Sequence, residues 1–328
     1  MMSYSQNRED VVLARAFAGV EKGLYVDVGA NDPTVDSVTR YFYELGWRGI
    51  NIEPQATLFA ELMAARPYDV NLNIGIGQHS GQMVFHHVPD INGWSTFDAV
   101  TAARITESGH VVTDIVVPVE RLDTVLSAHT SGAVVDFLKV DVEGFEQEVL
   151  GDVDWTVVRP RVLVVESRVR QSVWEARLVA SGYRRTLWDG VNVFLVREED
   201  DATLGSLLSW PACVLDQFEP FAYVRYIRDQ EVLLARQAQS MAALAAAHVD
   251  ALMQLRWGVA HTAAGAALGE VYVSRPDLRQ AFGDAPTLDI GGLVAWAASV
   301  APASDSADSD AWRLAPYADH YSWLTHLP

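Results

Sequence analysis

Four short apolar runs each close on an acidic residue: Leu24-Tyr-Val-Asp27, Ile50-Asn-Ile-Glu53, Phe137-Leu-Lys-Val-Asp141 and Val162-Leu-Val-Val-Glu166. Runs this short, β-branched and without strict polar alternation suit strands buried on both faces. Helical stretches fall between them, which is the rhythm of a mostly parallel sheet covered by helices. The expected strands are 24–28, 49–52, 71–76, 82–87, 114–118, 134–140, 161–166 and 191–196. The expected helices are 8–18, 37–45, 56–65, 119–127, 146–150 and 174–181. Ligands of open α/β sheets bind outside the carboxyl ends of the strands, so the four acids should edge a crevice.

The pattern changes after about Arg197. Residues 223–257 carry Leu233, Leu234, Ala238, Met241 and Leu244 at helical spacing, without proline. A further helix is expected over 287–300, a mobile acidic loop over 301–310, and a docked tail through Trp312, Tyr317, Tyr321 and Trp323. With 328 residues, two regions are expected: an α/β domain over 1–197 and a mainly helical region over 198–328 that caps the acceptor, dimerises, or both.

Charge narrows the partners. Forty-three acidic residues against 24 Lys+Arg leave a net charge of −19, which disfavours nucleic acid and simple docking to anionic lipid. The lone cysteine, Cys213, rules out an intramolecular disulfide and zinc sites built from several cysteines. With no signal-like N-terminus and no apolar run of bilayer length, cytoplasm without membrane insertion is the expected location.

The loop after the first strand, Asp27-Val-Gly-Ala-Asn-Asp32, has one glycine where a dinucleotide fingerprint has three. Asp27 suits a cationic ligand such as the ammonium and sulfonium of S-adenosylmethionine better than the phosphates of NAD. An ordinary Asp-x-Gly turn is the plainer alternative. Ser37 stands where a helix should resume, offering free N–H groups. Glu53, closing the next strand 20–25 residues on, is where a ribose-binding carboxylate belongs. Asp141, Glu143 and Glu146 cluster beyond the third of these strands, and Glu143 and Glu146 alternatively only favour a helix start. Asp141 and Glu166, at adjacent strand ends, could hold a hard divalent ion such as Mg²⁺. Glu166 could instead pair with Arg168 or Arg170.

These segments together resemble the FkbM family of class I S-adenosylmethionine-dependent O-methyltransferases. The resemblance rests on Ser5-Gln-Asn-Arg-Glu-Asp10, Tyr25-Val-Asp-Val-Gly-Ala-Asn-Asp-Pro33, Gly46-Trp-Arg-Gly-Ile-Asn-Ile-Glu-Pro54, Trp94-Ser-Thr96, Leu138-Lys-Val-Asp-Val-Glu-Gly-Phe-Glu146 and Tyr183 with Trp188-Asp-Gly-Val-Asn192. It spans residues 3–197 and implies a Rossmann-like, doubly wound fold. It also implies methylation of a hydroxyl, commonly on a sugar of a bacterial polysaccharide, glycolipid or natural product. Asp27, Gly29 and Asn31 then match the cofactor loop, Glu53 with Pro54 the ribose side, and Asp141 and Glu143 the catalytic edge. Metal-dependent relatives in the wider superfamily carry an acid-amide pair after the fifth strand; here that position reads Glu166-Ser167, without the amide, a departure that counts against the metal. The Arg-, Ala- and Val-rich composition suits an actinobacterial enzyme of methylmannose polysaccharides or glycolipids.

A sugar hydroxyl needs its proton removed as the methyl arrives, either by a carboxylate or with help from Mg²⁺. Asp141 and Glu166 are therefore expected to bind metal or acceptor, with Glu143 as alternate base and His110, in Glu-Ser-Gly-His, as the histidine candidate. Trp94 and Trp188 suit stacking on a sugar face. The other readings are an NAD-binding oxidoreductase and a non-catalytic module that binds cofactor or glycan.

Overall fold

The computed structural model describes residues 1–91, 93–167 and 172–261, with side chains through residue 247. Its strands are β1 (Met2–Ser3), β2 (Leu24–Val28), β3 (Arg48–Ile52), β4 (Val70–Leu72), β5 (Gly75–Ile76), β6 (Gly81–His87), β7 (Thr113–Glu120), β8 (Phe137–Val140), β9 (Val162–Glu166), β10 (Tyr183–Trp188), β11 (Asn192–Arg197) and β12 (Glu219–Pro220). The helices are α1 (Glu9–Ala16), α2 (Arg40–Glu44), α3 (Ala56–Ala65), α4 (Ala99–Glu107), α5 (Leu122–His129), α6 (Glu146–Leu150), α7 (Val173–Ala180) and α8 (Phe221–His261).

Seven strands form the main sheet in the order β10-β11-β9-β8-β2-β3-β4. The ladders from β9 to β4 are parallel, and β11 runs antiparallel to both of its neighbours. Successive residues of the central strands alternate between two cores, as the period of 2 requires. Val26, Leu138, Leu163 and Val165 face one, with α5, α6 and α7. Tyr25, Phe137, Val162, Val164 and Phe194 face the other, with Val12, Leu13 and Ala16 of α1 and Phe42 of α2. This is the doubly wound, Rossmann-like architecture. After β2 the chain moves outward to β3 and β4, then returns to pair β8 on the other side of β2. The switch point between β2 and β8 places the crevice at their carboxyl ends.

Several expected elements are corrected. The strand expected over 71–76 is two: β4 ends the main sheet, and β5 joins β6 and β7 in a separate three-stranded sheet. The helix expected from Val119 starts at Leu122, because Val117 and Val119 are still buried alternately on β7. The helix expected from Ser37 starts at Arg40, since the hydroxyls of Ser37 and Thr39 are engaged in a buried network. Helix α4 was not expected, although Asp98 caps it by accepting from the Thr101 N–H at 2.7 Å. Strand β10 was also missed: Arg184 and Arg185 break its apolar pattern, and they pair with Asp201 and Glu175.

The chain divides into two compact units, Met1–Leu233 and Leu234–Pro328. The first runs past the boundary expected at residue 197. Arg15 of α1 donates to the carbonyls of Leu207 and Trp210 and pairs with Asp216 at 2.9 Å. The acidic stretch after β11 is tied to arginines as well, Glu199 to Arg159 at 2.6 Å and Asp200 to Arg161 at 3.0 Å. The helix expected over 223–257 is α8. The helix expected over 287–300, the loop over 301–310 and the aromatic tail lie outside the described residues. Among the described residues, no helix is long and apolar enough to cross a membrane.

Candidate active site

Parallel pairing of β2 with β8 sets Asp27 opposite Lys139. Both are buried, Asp27 to 1% exposure and Lys139 to 8%. The Lys139 ammonium lies 3.3 Å from Asp27 Oδ1 and 3.5 Å from Asp141 Oδ2, and donates to the Gly29 carbonyl at 2.7 Å. Burial alone would lower the lysine's pKa, but the two carboxylates hold it above its ordinary value. Asp27 is therefore charge-compensated from within the fold, and its other oxygen accepts from Thr39 Oγ1 at 2.8 Å. That changes its expected role: it anchors the loop base and is not an open acid waiting for a cation.

The chain turns at Gly29, with φ at +77°, and a Cβ there would overlap the carbonyl oxygen of Asp141. Only glycine lets the two loops approach this closely. Asn31 follows in the left-handed region at φ +52°. Its N–H donates to Glu53 Oε2 at 2.9 Å, while the Gln55 N–H donates to Glu53 Oε1 at 2.8 Å. Asn73 holds the Glu53 and Pro54 carbonyls at 2.9 and 3.0 Å. Asn31 Oδ1 is shielded from solvent and has no hydrogen-bond partner among the described residues. Ser37 lies deeper: its Oγ accepts from Arg66 at 2.8 Å, and Arg66 also reaches Thr39, Tyr25 and the Pro33 carbonyl. Ser37 thus shapes the loop from behind, and no helix N-terminus stands there.

Burial pushes the Glu53 carboxyl up to about 7, against the two N–H donors that favour the charged form. An acid raised in this way stabilises the fold below its unfolded pKa of about 4.5 and loses that contribution as pH rises through 7. Thermal melts at about pH 5 and pH 8 should therefore differ less for Glu53→Gln than for the native chain. Equal differences would contradict the buried, proton-retaining Glu53.

Asp141 leaves β8 with its N–H bonded to the Val28 carbonyl at 3.1 Å, and its side chain is 40% exposed. Glu143 sits at φ +54°, and Thr96 Oγ1 donates to its carbonyl at 2.9 Å. Glu166 ends β9 beside them. One carboxylate oxygen from each of Asp141, Glu143 and Glu166 falls within 4.8 Å of the others. Arg168 and Arg170, the alternative partners of Glu166, lie outside the described residues. Glu146 points back into the loop instead, accepting from the Gly144 and Val142 N–H groups at 3.0 and 3.3 Å; burial raises its pKa. It pins the loop that leads into α6.

The Trp94-Ser-Thr96 segment proves to be a strut. Ser95 Oγ accepts from Gln55 Nε2 at 3.2 Å and from the Val88 N–H at 3.0 Å, while Thr96 reaches Glu143. A Cβ on Gly93 would stand 3.3 Å from Asn31 Nδ2. One loop thereby touches the Asn31, Glu53-Gln55 and acidic segments together. His110 follows α4 and packs edge-on against Trp94, with ring centroids 5.2 Å apart. Trp188 ends β10, and its indole N–H donates to the Ser167 carbonyl at 3.4 Å. Sequence reasoning brought Asp27, Gly29, Asn31, Glu53, Pro54, Asp141, Glu143 and Glu166 to one end of the sheet. It missed Lys139, Arg66 and the strut, although Lys139 is one of only two lysines in the chain.

A Gly-turn, a buried acid at the next strand end and acids beyond β8 gather at the switch point of a doubly wound sheet, where open α/β sheets bind ligands. Comparison with known proteins places the chain in a family. The model described as the methyltransferase FkbM domain matches residues 27–195, more than half of the chain. The chain belongs to the FkbM methyltransferase family. No curated protein sequence matches it. Among solved structures, one titled METTL16 MTase domain (crystal form 2) is similar over 58% of this chain and 66% of that one, at 10% identity and a TM-score of 0.31.

Proposed function

We propose that the protein is an S-adenosylmethionine-dependent O-methyltransferase acting on a sugar hydroxyl of a glycan or glycoside. The observation that carries the reading is the juxtaposition at one sheet edge of an orphaned acceptor, Asn31 Oδ1, with the Asp141, Glu143 and Glu166 carboxylates. The residues fit the cofactor. Asn31 Oδ1 lacks a donor that a ligand could supply, and Glu53, at the end of the adjacent strand, would be the acid on the ribose side. When bound, S-adenosylmethionine supplies a methyl group already activated by its sulfonium.

The chain's own residues do the rest. Asn31 and Glu53 bind and orient the cofactor side, while the strut at Ser95 and Thr96 keeps that loop in register with the acids. Asp141 and Glu143 hold the acceptor hydroxyl and take its proton as the new bond forms. Lys139 stands 3.5 Å from Asp141 Oδ2 and orients that carboxylate from its inner side. The three carboxylates are also a hard oxygen donor set, so Asp141 and Glu166 would hold Mg²⁺ and lower the pKa of a coordinated hydroxyl. Dimerisation through the helix-rich region beyond residue 197 and a cytoplasmic location belong to the same proposal.

The test combines two assays on the full chain. Incubation with S-adenosylmethionine and a panel of p-nitrophenyl hexosides, with and without chelator, is read by mass spectrometry for the gain of one CH₂. Asp141→Asn should lower kcat by about 10²–10⁴, the usual cost of losing a positioned acid or base. It should leave S-adenosylhomocysteine affinity within a few-fold. Turnover within about threefold of the native chain would remove Asp141 from the chemistry.

A further inference from the structure

The N-terminal motif contributes a buried carboxylate that the transfer chemistry does not use. Glu9 opens α1 and is 6% exposed. Its Oε1 accepts from Asn192 Nδ2 at 2.6 Å and its Oε2 from the Asn7 N–H at 3.0 Å. Around it the chain forms a hook. Asp10 accepts from Ser3 Oγ at 2.8 Å, Ser5 Oγ at 2.7 Å and the Tyr4 N–H at 2.6 Å, and Ser5 bridges to Asp36 beyond the cofactor loop. The hook therefore reaches from the Gly29 side of the crevice to the far side, where Asn192 begins β11.

Asn192 pairs with Glu166 in the antiparallel ladder between β11 and β9. Directly opposite residues share a face of the sheet, so Asn192 and Glu166 project side by side. The turn before Asn192 is compact. Asp189 Oδ1 accepts from the Val191 and Asn192 N–H groups at 2.9 and 2.6 Å, and the Ser167 N–H donates to the Val191 carbonyl at 2.8 Å. Burial and the nearby Asp189 carboxylate push the Glu9 carboxyl up to about 7. Glu9 also acts, with Asp27 and Asp141, on Lys139. A carboxylate kept buried at a desolvation cost, and bonded to the turn beside an acid of the site, has more to do than open a helix.

We propose that Glu9 is a positioning residue of the transfer site: through Asn192 it fixes the turn of residues 189–191 against the end of β9, and so sets where Glu166 stands relative to Asp141. The assignment rests on reading the acidic rim as the place of transfer. It makes the N-terminal hook a working part of the site.

Hydrogen exchange followed by mass spectrometry, calorimetry with S-adenosylhomocysteine and turnover on the hexoside panel test it on the full chain. In Glu9→Ala and in Asn192→Ala, the peptide covering 188–193 should exchange at least about tenfold faster, while the peptide covering 24–36 stays unchanged. S-adenosylhomocysteine affinity should stay within about twofold, and kcat should fall about 10²-fold, as for a misplacement of about 1 Å. Glu9→Gln keeps an acceptor for Asn192 and should restore most of both. The double variant Glu9→Ala/Asn192→Ala should be no worse than the worse single one, since both cut the same link. Unchanged exchange over 188–193 overturns the proposal, as does cofactor affinity falling in step with kcat. Should Glu9→Ala not fold, Asn192→Ala reads the same link from its other end. A native chain that does not bind S-adenosylhomocysteine sinks the transfer reading instead, and the exchange result still decides the Glu9 link.

Discussion

Lys139→Met is expected to cost the fold about 3–5 kcal/mol, the range found when one partner of a buried ion pair is removed. Asp27 would be left without its cation at 1% exposure, with one hydroxyl donor, and the Gly29 carbonyl would lose its 2.7 Å donor. Against a total stability of about 5–15 kcal/mol, that is a large fraction. At about 2–4 °C per kcal/mol for a unit of this size, the melting temperature should drop by roughly 10 °C. Asp27→Asn placed on top of Lys139→Met should recover part of the loss, because the uncompensated charge is what makes the single change so severe. Denaturant melts of the single and double variants measure this directly. A loss below about 1 kcal/mol for Lys139→Met, with no gain from Asp27→Asn, would show that the pair is not the electrostatic base of the loop.

Gly29→Ala is the second large effect. The added carbon would meet backbone, the Asp141 carbonyl oxygen, in a residue already at φ +77°. Backbone on both sides leaves no flexible side chain to give way. The Gly29 N–H is bonded to the Ile52 carbonyl at 3.0 Å and its carbonyl to Lys139, so relief requires pulling β2 from β3 or from β8. A destabilisation of about 2–4 kcal/mol is expected, from strain at a special φ together with overpacking. Any folded fraction should bind S-adenosylhomocysteine at least about tenfold more weakly, since Asn31 and Asp141 are displaced together. Thermal melts and calorimetry on Gly29→Ala check both parts, and native-like affinity would contradict the close approach of the two loops.

What the sequence made legible is what depends on neighbours along the chain. β2, β3, β8 and β9 each end an apolar run on an acid or close to one, so their ends could be read directly. The sheet order then put Asp27, Glu53, Asp141 and Glu166 along one edge. What depends on partners far away could not be read. Lys139 shows its role only once the register sets it opposite Asp27, far earlier in the chain. Glu9 meets Asn192 across a separation of 183 residues. Ser37 stands where a helix could resume, yet the buried Arg66 claims its hydroxyl, and α2 starts later. Strand β10 was hidden because Arg184 and Arg185 are neutralised by partners on other elements, a compensation that leaves no local trace. Asp98 did carry a local signal, a capping side chain three residues before Thr101, and α4 could have been found from it.

The most direct measurement is calorimetric titration of the full-length chain with S-adenosylhomocysteine and, separately, with NAD. The account predicts one saturable site for S-adenosylhomocysteine and no heat of binding from NAD. Removing the Asn31 amide in Asn31→Ala should weaken that site at least about tenfold, the cost of leaving a ligand donor unpaired. Binding of NAD in place of S-adenosylhomocysteine, or affinity indifferent to Asn31, would contradict it.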